Sequence, residues 1–168
     1  AALDWLRGGD AACFRDTMET IREHYPRPAF YSALNILGTH DTPRILTLLG
    51  AEHVPGTKDA RAAYRLSPEE RQKGEARLRV GEMLLYCFPG SPTVYYGDEA
   101  GMEGFEDPLN RKTYPWDRQD RALLDFFRSL GQLRRHRPSL QDGDLTYVYA
   151  QGGALVLRRQ LGDEITVA

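Results

Sequence analysis

Two ionisable side chains, His40 and Asp41, follow an apolar run in the stretch ALNILGTHDTPRILTLLG. Ionisable groups at the exit of a buried strand are typical either of a soluble strand end or of one half of an active site. The structural alternative is specific, because Asp41 before Thr42 and Pro43 is ordinary helix-entry chemistry, in which a carboxylate caps free backbone N–H groups. The pair alone leaves both interpretations open, so the elements around it must decide.

A second acidic pair, Asp98 and Glu99, closes the β-rich run TVYYG. These acids are as well suited to holding a loop through its backbone N–H groups as to binding a ligand. Arg111 stands four residues after Asp107, a spacing that fits a structural anchor as well as a ligand contact. Trp116 stands between a proline and an aspartate, which favours a packed loop over an exposed ring.

Alternating helices and strands are predicted around these residues. Asp10 and Ser67–Pro68 are helix starts, the first by side-chain capping and the second with proline in the first turn. Thr42 is predicted as another N-cap, with Pro43 at the first helical position and Gly50 closing the helix. The resulting elements are a helix ending before Pro26, the strand ALNIL, a helix 43–50, a long helix from Pro68, the strand TVYYG and a helix 119–136.

This order predicts an α/β fold, and both strands carry their acids at the carboxyl end, where (β/α)8 barrels build their active sites. A complete barrel needs about 250 residues. The 168 residues can therefore hold only part of one. After Pro138 the pattern becomes strands joined by Gly-rich turns, which predicts an antiparallel meander. We expect residues 1–137 to contain two βα units of the barrel and residues 138–168 to begin a β domain.

The chain begins with AALDWLRGG, without an initiator Met or a signal-like apolar stretch, and closes on the strand-like run DEITVA. This predicts a segment of a longer polypeptide and leaves cytoplasmic and secreted locations both open. The net charge of -2 offers no basic surface for nucleic acid. No apolar run approaches the roughly 20 residues that cross a membrane. Two distant cysteines, Cys13 and Cys87, predict buried thiols rather than a disulfide framework or a zinc site.

Three ordered motifs carry a resemblance to a known family. NILGTHDTPR, residues 35–44, resembles the region in which the alpha-amylase family of glycoside hydrolases (family 13) delivers a His–Asp pair from its seventh barrel strand. GSPTVYYGDEAGMEG resembles the eighth-strand signature of that family, and DPLNRKTYPWD is similar to the loop that follows it. The combination is most similar to the neopullulanase, cyclomaltodextrinase and maltogenic amylase branch. The resemblance implies that residues 1–137 are the C-terminal portion of the (β/α)8 barrel, with its last two βα units, and that residues 138–168 are the start of an antiparallel β-sandwich domain.

The resemblance implies a fragment of a retaining hydrolase or transglycosylase that acts on the α-1,4 or α-1,6 bonds of α-glucans. It makes Asp41 the carboxylate that stabilises the transition state, with His40, Arg44 and Arg111 as substrate-binding residues. The family's nucleophilic Asp and general-acid Glu lie on its fourth and fifth strands, and neither motif occurs in this sequence. The isolated chain is therefore expected to be inactive. Residues 112–114, Lys-Thr-Tyr, depart from the second Arg and the Met that often stand there.

Two classes of function stay open at this point. The alternative to an enzyme is a non-catalytic amylase-like partner subunit or glucan-binding protein, because the barrel also occurs in proteins that have lost catalysis. An intact His40–Asp41 pair favours the enzyme. The expected partner is an α-glucan or malto-oligosaccharide, and unpaired strand edges add self-association into a homo-oligomer. No cofactor or metal ligand set is expected in this segment, and whether calcium binds elsewhere in the full-length protein is left open.

Overall fold

The computed structural model of the protein describes residues 1–168. Helices and two short strands alternate as far as residue 142, and an antiparallel sheet of three strands follows. No helix is both long enough and apolar enough to cross a membrane. The helices are α1 Ala2–Leu6, α2 Ala11–His24, α3 Arg27–Tyr31, α4 Ile45–Gly50, α5 Lys58–Ala63, α6 Pro68–Cys87, the 3-10 helix Leu109–Arg111, α7 Arg121–Arg135 and α8 Pro138–Asp142. The strands are β1 Leu34–Ile36, β2 Ser91–Thr93, β3 Asp144–Gln151, β4 Ala154–Leu161 and β5 Glu164–Val167.

Two of the predicted helix starts are confirmed. The Asp10 side chain accepts a hydrogen bond of 2.9 Å from the Ala12 N–H and so caps α2. Helix α6 begins at Pro68, with two glutamates in the first turn, where carboxylates complement the positive end of a helix. Helix α3 was not expected from the sequence. Because Pro28 occupies its first turn, the PRP segment starts a short helix as well as ending α2.

The chain forms two compact units, and the first is built around an aromatic cluster. Trp5 stacks on Phe14 with 5.9 Å between the ring centroids. Phe88 meets Phe14 and Phe30 edge to face, each at 6.0 Å. All four rings are buried, so this cluster anchors α1, α2 and α3 to the end of α6. The first unit comprises Ala1–Asn35, Gly81–Thr93 and Ser129–Ala168.

The predicted meander is present and belongs to this first unit. Strand β3 pairs antiparallel with β4, and β4 pairs antiparallel with β5. Gly152 and Gly162 turn the chain with φ of 54° and 57°, a left-handed conformation that favours glycine. The Gly152 N–H donates to Asp10 (2.8 Å), and the Gly152 carbonyl accepts from the Ala11 N–H (2.7 Å). The meander is thereby fastened to the start of α2, and a domain boundary at residue 137 stays a prediction.

Two arginines hold the end of α6 through backbone carbonyls rather than carboxylates. The buried Arg159 of β4 donates to the Cys87 carbonyl at 2.6 Å. Its other two contacts, at 3.1 and 2.8 Å, go to the Gly143 carbonyl. Arg134 of α7 donates to three carbonyls in the same segment, those of Tyr86, Phe88 and Gly90. These bonds satisfy carbonyls that the helix end leaves without intrahelical donors.

The second unit comprises Ile36–Val80 and Val94–Arg128. Its most deeply buried side chains are the aliphatic residues Ile45, Leu46, Leu49, Leu78 and Leu123. Arg71 of α6 ties the loop after β2 to this core. Its guanidinium forms ion pairs with three carboxylates, those of Glu75 (2.8 Å), Glu103 (2.8 Å) and Asp120 (3.0 Å).

The two barrel-type strands differ from their prediction in extent and in burial. Strand β1 has only three residues, and Leu34 and Ile36 expose 73% and 44% of their surface, although a buried strand was expected. It pairs with β2. Strand β2 covers Ser91–Thr93 and ends before the tyrosines of TVYYG, because the chain turns at Tyr96–Ala100.

The inner face of α6 is buried and its outer face is exposed. Leu78, Glu82 and Cys87 are buried, and Leu78 and Glu82 are four residues apart, as on one side of a helix. Val80 and Met83 are exposed. Cys13 was expected to be buried and is exposed, because α2 buries only its first turn.

Candidate functional site

The segment 37–44 carries His40 and Asp41 in a tight turn built by threonine hydroxyls. The Thr39 N–H donates to the Thr42 hydroxyl (3.2 Å), and the Asp41 N–H donates to the Thr39 hydroxyl (3.1 Å). Helix α4 begins only at Ile45, so the predicted start at Thr42–Pro43 is wrong by two residues. Thr42 uses its hydroxyl for the turn rather than for a helix cap, which delays the helix.

The Asp41 carboxylate points into solvent and caps nothing. Its side chain is 74% exposed, and it forms no hydrogen bond to a backbone N–H. Its neighbours are polar side chains, with His40 Nε2 at 3.3 Å and Arg111 Nη2 at 3.8 Å from Oδ1. The first residue before α4, Arg44, has no side-chain cap either. The helix-capping alternative is therefore not what this segment builds.

The backbone on either side of Asp41 is held from the loop after β2. Nδ2 of Asn110 donates to the His40 carbonyl and to the Thr42 carbonyl, both at 2.7 Å. Arg111 Nε adds a third bond to the His40 carbonyl at 3.1 Å. Asn110 was not singled out in the sequence. Its one available signal was its position directly before Arg111 in a loop rich in turn formers.

Arg111 unites both of the roles weighed for it. Its Nε lies 3.1 Å from the Asp107 carboxylate, four residues earlier, which is the anchor predicted by the spacing. The same side chain reaches the His40 carbonyl and the Asp41 carboxylate. Three of the sequence-predicted site residues, His40, Asp41 and Arg111, are thus brought together at one exposed corner of the second unit.

Arg44, the fourth predicted residue, lies elsewhere. It is 1% exposed, which argues against direct contact with a substrate. Its guanidinium pairs with Asp98 at 3.1 Å and donates to the Tyr96 carbonyl. It also lies over the rings of Tyr95 and Tyr96, at 4.4 and 4.6 Å from their centroids. The rings of the two tyrosines meet with 4.8 Å between their centroids, and strand β2 has already ended before them.

Asp98 and Glu99 serve different purposes. Glu99 accepts a hydrogen bond from the Gly97 N–H (2.8 Å), which is the loop-holding role weighed from the sequence. Asp98 is buried, and this burial raises its pKa from 3.8 to about 7, while Arg44 acts in the opposite direction. A Cβ on Gly38 would lie 2.3 Å from the Asp98 carboxylate, so only glycine fits beside this group.

Trp116 stands on the surface. Its side chain is 74% exposed, although a packed position was expected. Tyr114 lies beside it, with 4.7 Å between the ring centroids. The following residue, Asp117, has a φ of 64°, a conformation uncommon outside glycine, and this turn carries the ring outwards. Within residues 1–168, no cluster of three or more His, Cys, Asp or Glu side chains has the geometry of a metal site.

Comparisons with known proteins agree on one family. Residues 10–141 match the family model described as the alpha amylase catalytic domain. The amylopullulanase of Thermoanaerobacterium saccharolyticum is 40% identical over 152 residues, which are 90% of this chain and 11% of that protein. The maltogenic alpha-amylase of Bacillus acidopullulyticus is 37% identical over 138 residues, covering 80% of this chain and 20% of that protein. The chain therefore spans about a tenth to a fifth of the length of these relatives.

Solved structures show the same relationship. The chain matches the alpha-amylase of Geobacillus thermoleovorans, solved in complex with acarbose, with a TM-score of 0.76 and 30% identity over 97% of this chain and 32% of that chain. The debranching enzyme of Nostoc punctiforme gives a TM-score of 0.80 at 25% identity, over 99% of this chain and 33% of that chain. The predicted fold, the C-terminal portion of a (β/α)8 barrel with an antiparallel β segment after it, is confirmed. The chain belongs to the alpha-amylase family of glycoside hydrolases, as part of its catalytic domain.

Proposed function

We propose that this chain is the part of a retaining, α-glucan-active enzyme that supplies the transition-state-stabilising carboxylate, Asp41. The enzyme acts on α-1,4 or α-1,6 glucosidic bonds, by hydrolysis or by transfer to another sugar. Relatives named amylopullulanase, maltogenic alpha-amylase and cyclomaltodextrinase support this substrate class. The nucleophile and the general acid come from residues outside the 168 present here.

The chemistry assigns a distinct task to Asp41. Retaining glycosidases break the bond between two carboxyl groups about 5–5.5 Å apart, through a transition state with positive charge on the sugar ring. A third carboxylate that accepts hydrogen bonds from ring hydroxyls binds more strongly as this charge develops. His40, whose imidazole faces solvent beside Asp41, donates a hydrogen bond to the same sugar unit. Arg111 lies behind the pair and contacts the substrate from its exposed side.

One observation carries the proposal: the Asp41 carboxylate is exposed and accepts no backbone N–H, while the carbonyls on both sides of it are bound by the Asn110 amide. A structural acid typically has its oxygens bonded to backbone N–H groups. Fixed backbone with a free charged group is the arrangement that a preorganised binding site requires. A buried, shape-holding role is filled instead by Asp98 in the neighbouring segment.

The second candidate is a non-catalytic glucan-binding or partner subunit of amylase-like fold. It assigns no task to the Asp41 carboxylate, whereas the exposed His40–Asp41 pair has the residue types that a catalytic role requires. Self-association of the isolated chain, through the free edges of β1 and β2, stays a prediction of either candidate.

The test is Asp41→Asn in the full-length enzyme, with activity measured on maltotriose and cyclodextrin and stability measured by thermal unfolding. Because the interaction is made mainly in the transition state, kcat should fall about 10²–10³-fold with little change in KM. The melting temperature should change little, because the carboxylate accepts no backbone N–H and its ion pair with Arg111 is exposed.

The matched comparison is His40→Ala. A neutral donor to a sugar hydroxyl acts already in the ground state, so this variant should raise KM more and lower kcat less than Asp41→Asn. The helix-capping alternative expects the opposite result for Asp41→Asn, namely a lower melting temperature and normal turnover per folded molecule. That outcome would remove Asp41 from the mechanism.

A further inference from the structure

We propose that Asn110 is a positioning residue for the reaction: its amide group binds the carbonyls before and after Asp41 and thereby fixes the direction of that carboxylate. The inference rests on the proposed role of Asp41. It adds a residue from a different loop, one that never touches the substrate.

The hydrogen bonds define the function of the amide. A side-chain NH₂ group has two hydrogens, and both are used, one on the His40 carbonyl and one on the Thr42 carbonyl, each at 2.7 Å. Reversing the amide would bring Oδ1 to 2.7 Å from two carbonyl oxygens, so the contacts fix its orientation. With the carbonyls on both sides bound to one nitrogen, the backbone of Asp41 cannot rotate without breaking a bond.

The burial of Asn110 shows that its two hydrogen bonds to the His40 and Thr42 carbonyls are kept at a cost in folding free energy. The residue is 0% exposed, and its Oδ1 has no hydrogen-bond partner. A buried amide oxygen without a donor is unfavourable, and such atoms are uncommon in folded proteins. An apolar side chain would avoid this cost but could not hold the two carbonyls. The role of this amide is therefore the pair of hydrogen bonds that its nitrogen donates.

The surroundings of Asn110 keep it in place. It is the central residue of the 3-10 helix Leu109–Arg111, and the Leu109 backbone packs directly on Gly104. A Cβ on Gly104 would lie 2.2 Å from the Leu109 carbonyl oxygen, so this approach requires glycine. The Gly104 carbonyl in turn accepts from the Arg44 N–H at 2.8 Å, just after the Asp41 turn. The loop that carries Asn110 is thus bonded to the segment 37–44 twice, through the Asn110 amide and through the Gly104 carbonyl.

The effect of losing the amide follows from geometry. A carboxylate displaced by about 1 Å from its productive position can cost on the order of 10²-fold in rate. Asn110→Ser retains at most one short donor, and Asn110→Asp replaces the donor with an oxygen of the same size that repels both carbonyls. In the full-length enzyme we expect kcat to fall about 10-fold for Asn110→Ser and about 100-fold for Asn110→Asp, with KM changed less than kcat. If Asn110→Asp does not fold, Asn110→Ser alone decides.

The closing experiment combines these variants with Asp41→Asn in a double-mutant cycle. If Asn110 acts through Asp41, Asn110→Ser should lower kcat strongly in the wild-type enzyme and by less than about 2-fold when Asp41 is already Asn. Ser139→Ala is the control for mere destabilisation. Ser139 is 0% exposed and bonds to Glu164 and Thr166 in the first unit, so its loss should lower the melting temperature without changing kcat.

The outcomes separate the two proposals. An Asp41→Asn enzyme with normal kcat refutes the proposed function itself. A slow Asp41→Asn enzyme together with a normal Asn110→Ser enzyme leaves Asp41 in place and refutes the positioning role. Equal losses from Asn110→Ser with and without Asp41 also refute it, because they show that Asn110 acts elsewhere.

Discussion

Replacing Arg159 with methionine tests how much a buried guanidinium that binds backbone carbonyls contributes to the free energy of unfolding. The guanidinium makes three hydrogen bonds to two carbonyls, those of Cys87 and Gly143. Bonds to charged groups contribute about 1.5–3 kcal/mol each, and two of the three share an acceptor, so the gross contribution is about 5 kcal/mol. Burial of the guanidinium opposes this contribution, because it disfavours the charged form and lowers the pKa of Arg159 from 12.5 to about 10. This pKa shift corresponds to a cost of about 3 kcal/mol for keeping the charge in the folded state.

The difference between these two contributions predicts that Arg159→Met lowers the free energy of unfolding by about 2 kcal/mol. Methionine keeps the apolar stem and removes both the hydrogen bonds and the buried charge. Arg159→Lys should be at least as destabilising. Lysine keeps the charge, but one ammonium group cannot span the Cys87 and Gly143 carbonyls. Urea unfolding of the chain is the assay. With a slope of about 2 kcal/mol per molar, the midpoint should fall by about 1 M for Arg159→Met.

Arg158→Met is the matched control, since Arg158 is the neighbouring residue, is exposed and bonds only to Gln160. It should change the free energy of unfolding by less than about 0.5 kcal/mol. A wild-type midpoint for Arg159→Lys would show that charge alone, without the guanidinium geometry, holds the segment. A more stable Arg159→Met would show that the cost of burying the charge exceeds the value of its bonds. Either result would refute the reasoning.

Two other predictions concern the chain as a whole and its buried acid. The 168-residue chain alone should not hydrolyse maltotriose, cyclodextrin or pullulan, because the proposed function places the nucleophile and the general acid outside it. Turnover by a single purified species would contradict this. Between about pH 4 and pH 7 the folded chain keeps a proton on Asp98 that the unfolded chain has lost. The contribution of Asp98 to the free energy of unfolding is therefore complete below this range. It disappears as the pH rises through about 7. Urea unfolding across this range should show the decline in wild type and a flatter profile in Asp98→Asn. An identical slope in both would assign the effect to other groups.

Local signals in the sequence were reliable where short-range chemistry decides the structure. The Asp10 cap, the start of α6 at Pro68 and the Gly-turned meander all depend on a few adjacent residues, and all were predicted correctly. The extent of β1 and β2 was predicted less well. Strand length depends on which neighbours pair and cover the strand, and these lie far away along the chain.

The candidate site likewise combines residues that the sequence allowed us to predict with contacts that depend on residues far away along the chain. His40, Asp41 and Arg111 were expected at one site from the family resemblance, since their types and spacing alone left structural roles open, and the structure brings them together. The same resemblance placed Arg44 near the substrate, but its burial depends on Asp98, more than fifty residues later. Asn110 could not be identified, because nothing in the sequence reveals that its amide reaches two carbonyls in a remote turn.

The exposure of Trp116 has a practical consequence for following this protein in solution. The chain has two tryptophans. Trp5 is 8% exposed within the aromatic cluster of the first compact unit, whereas Trp116 is 74% exposed in the second. Iodide should quench the Trp116 fluorescence while leaving that of Trp5 intact. A Trp116→Phe chain would report on the first unit alone, and a Trp5→Phe chain on the second, so the protein carries one natural fluorophore for each unit.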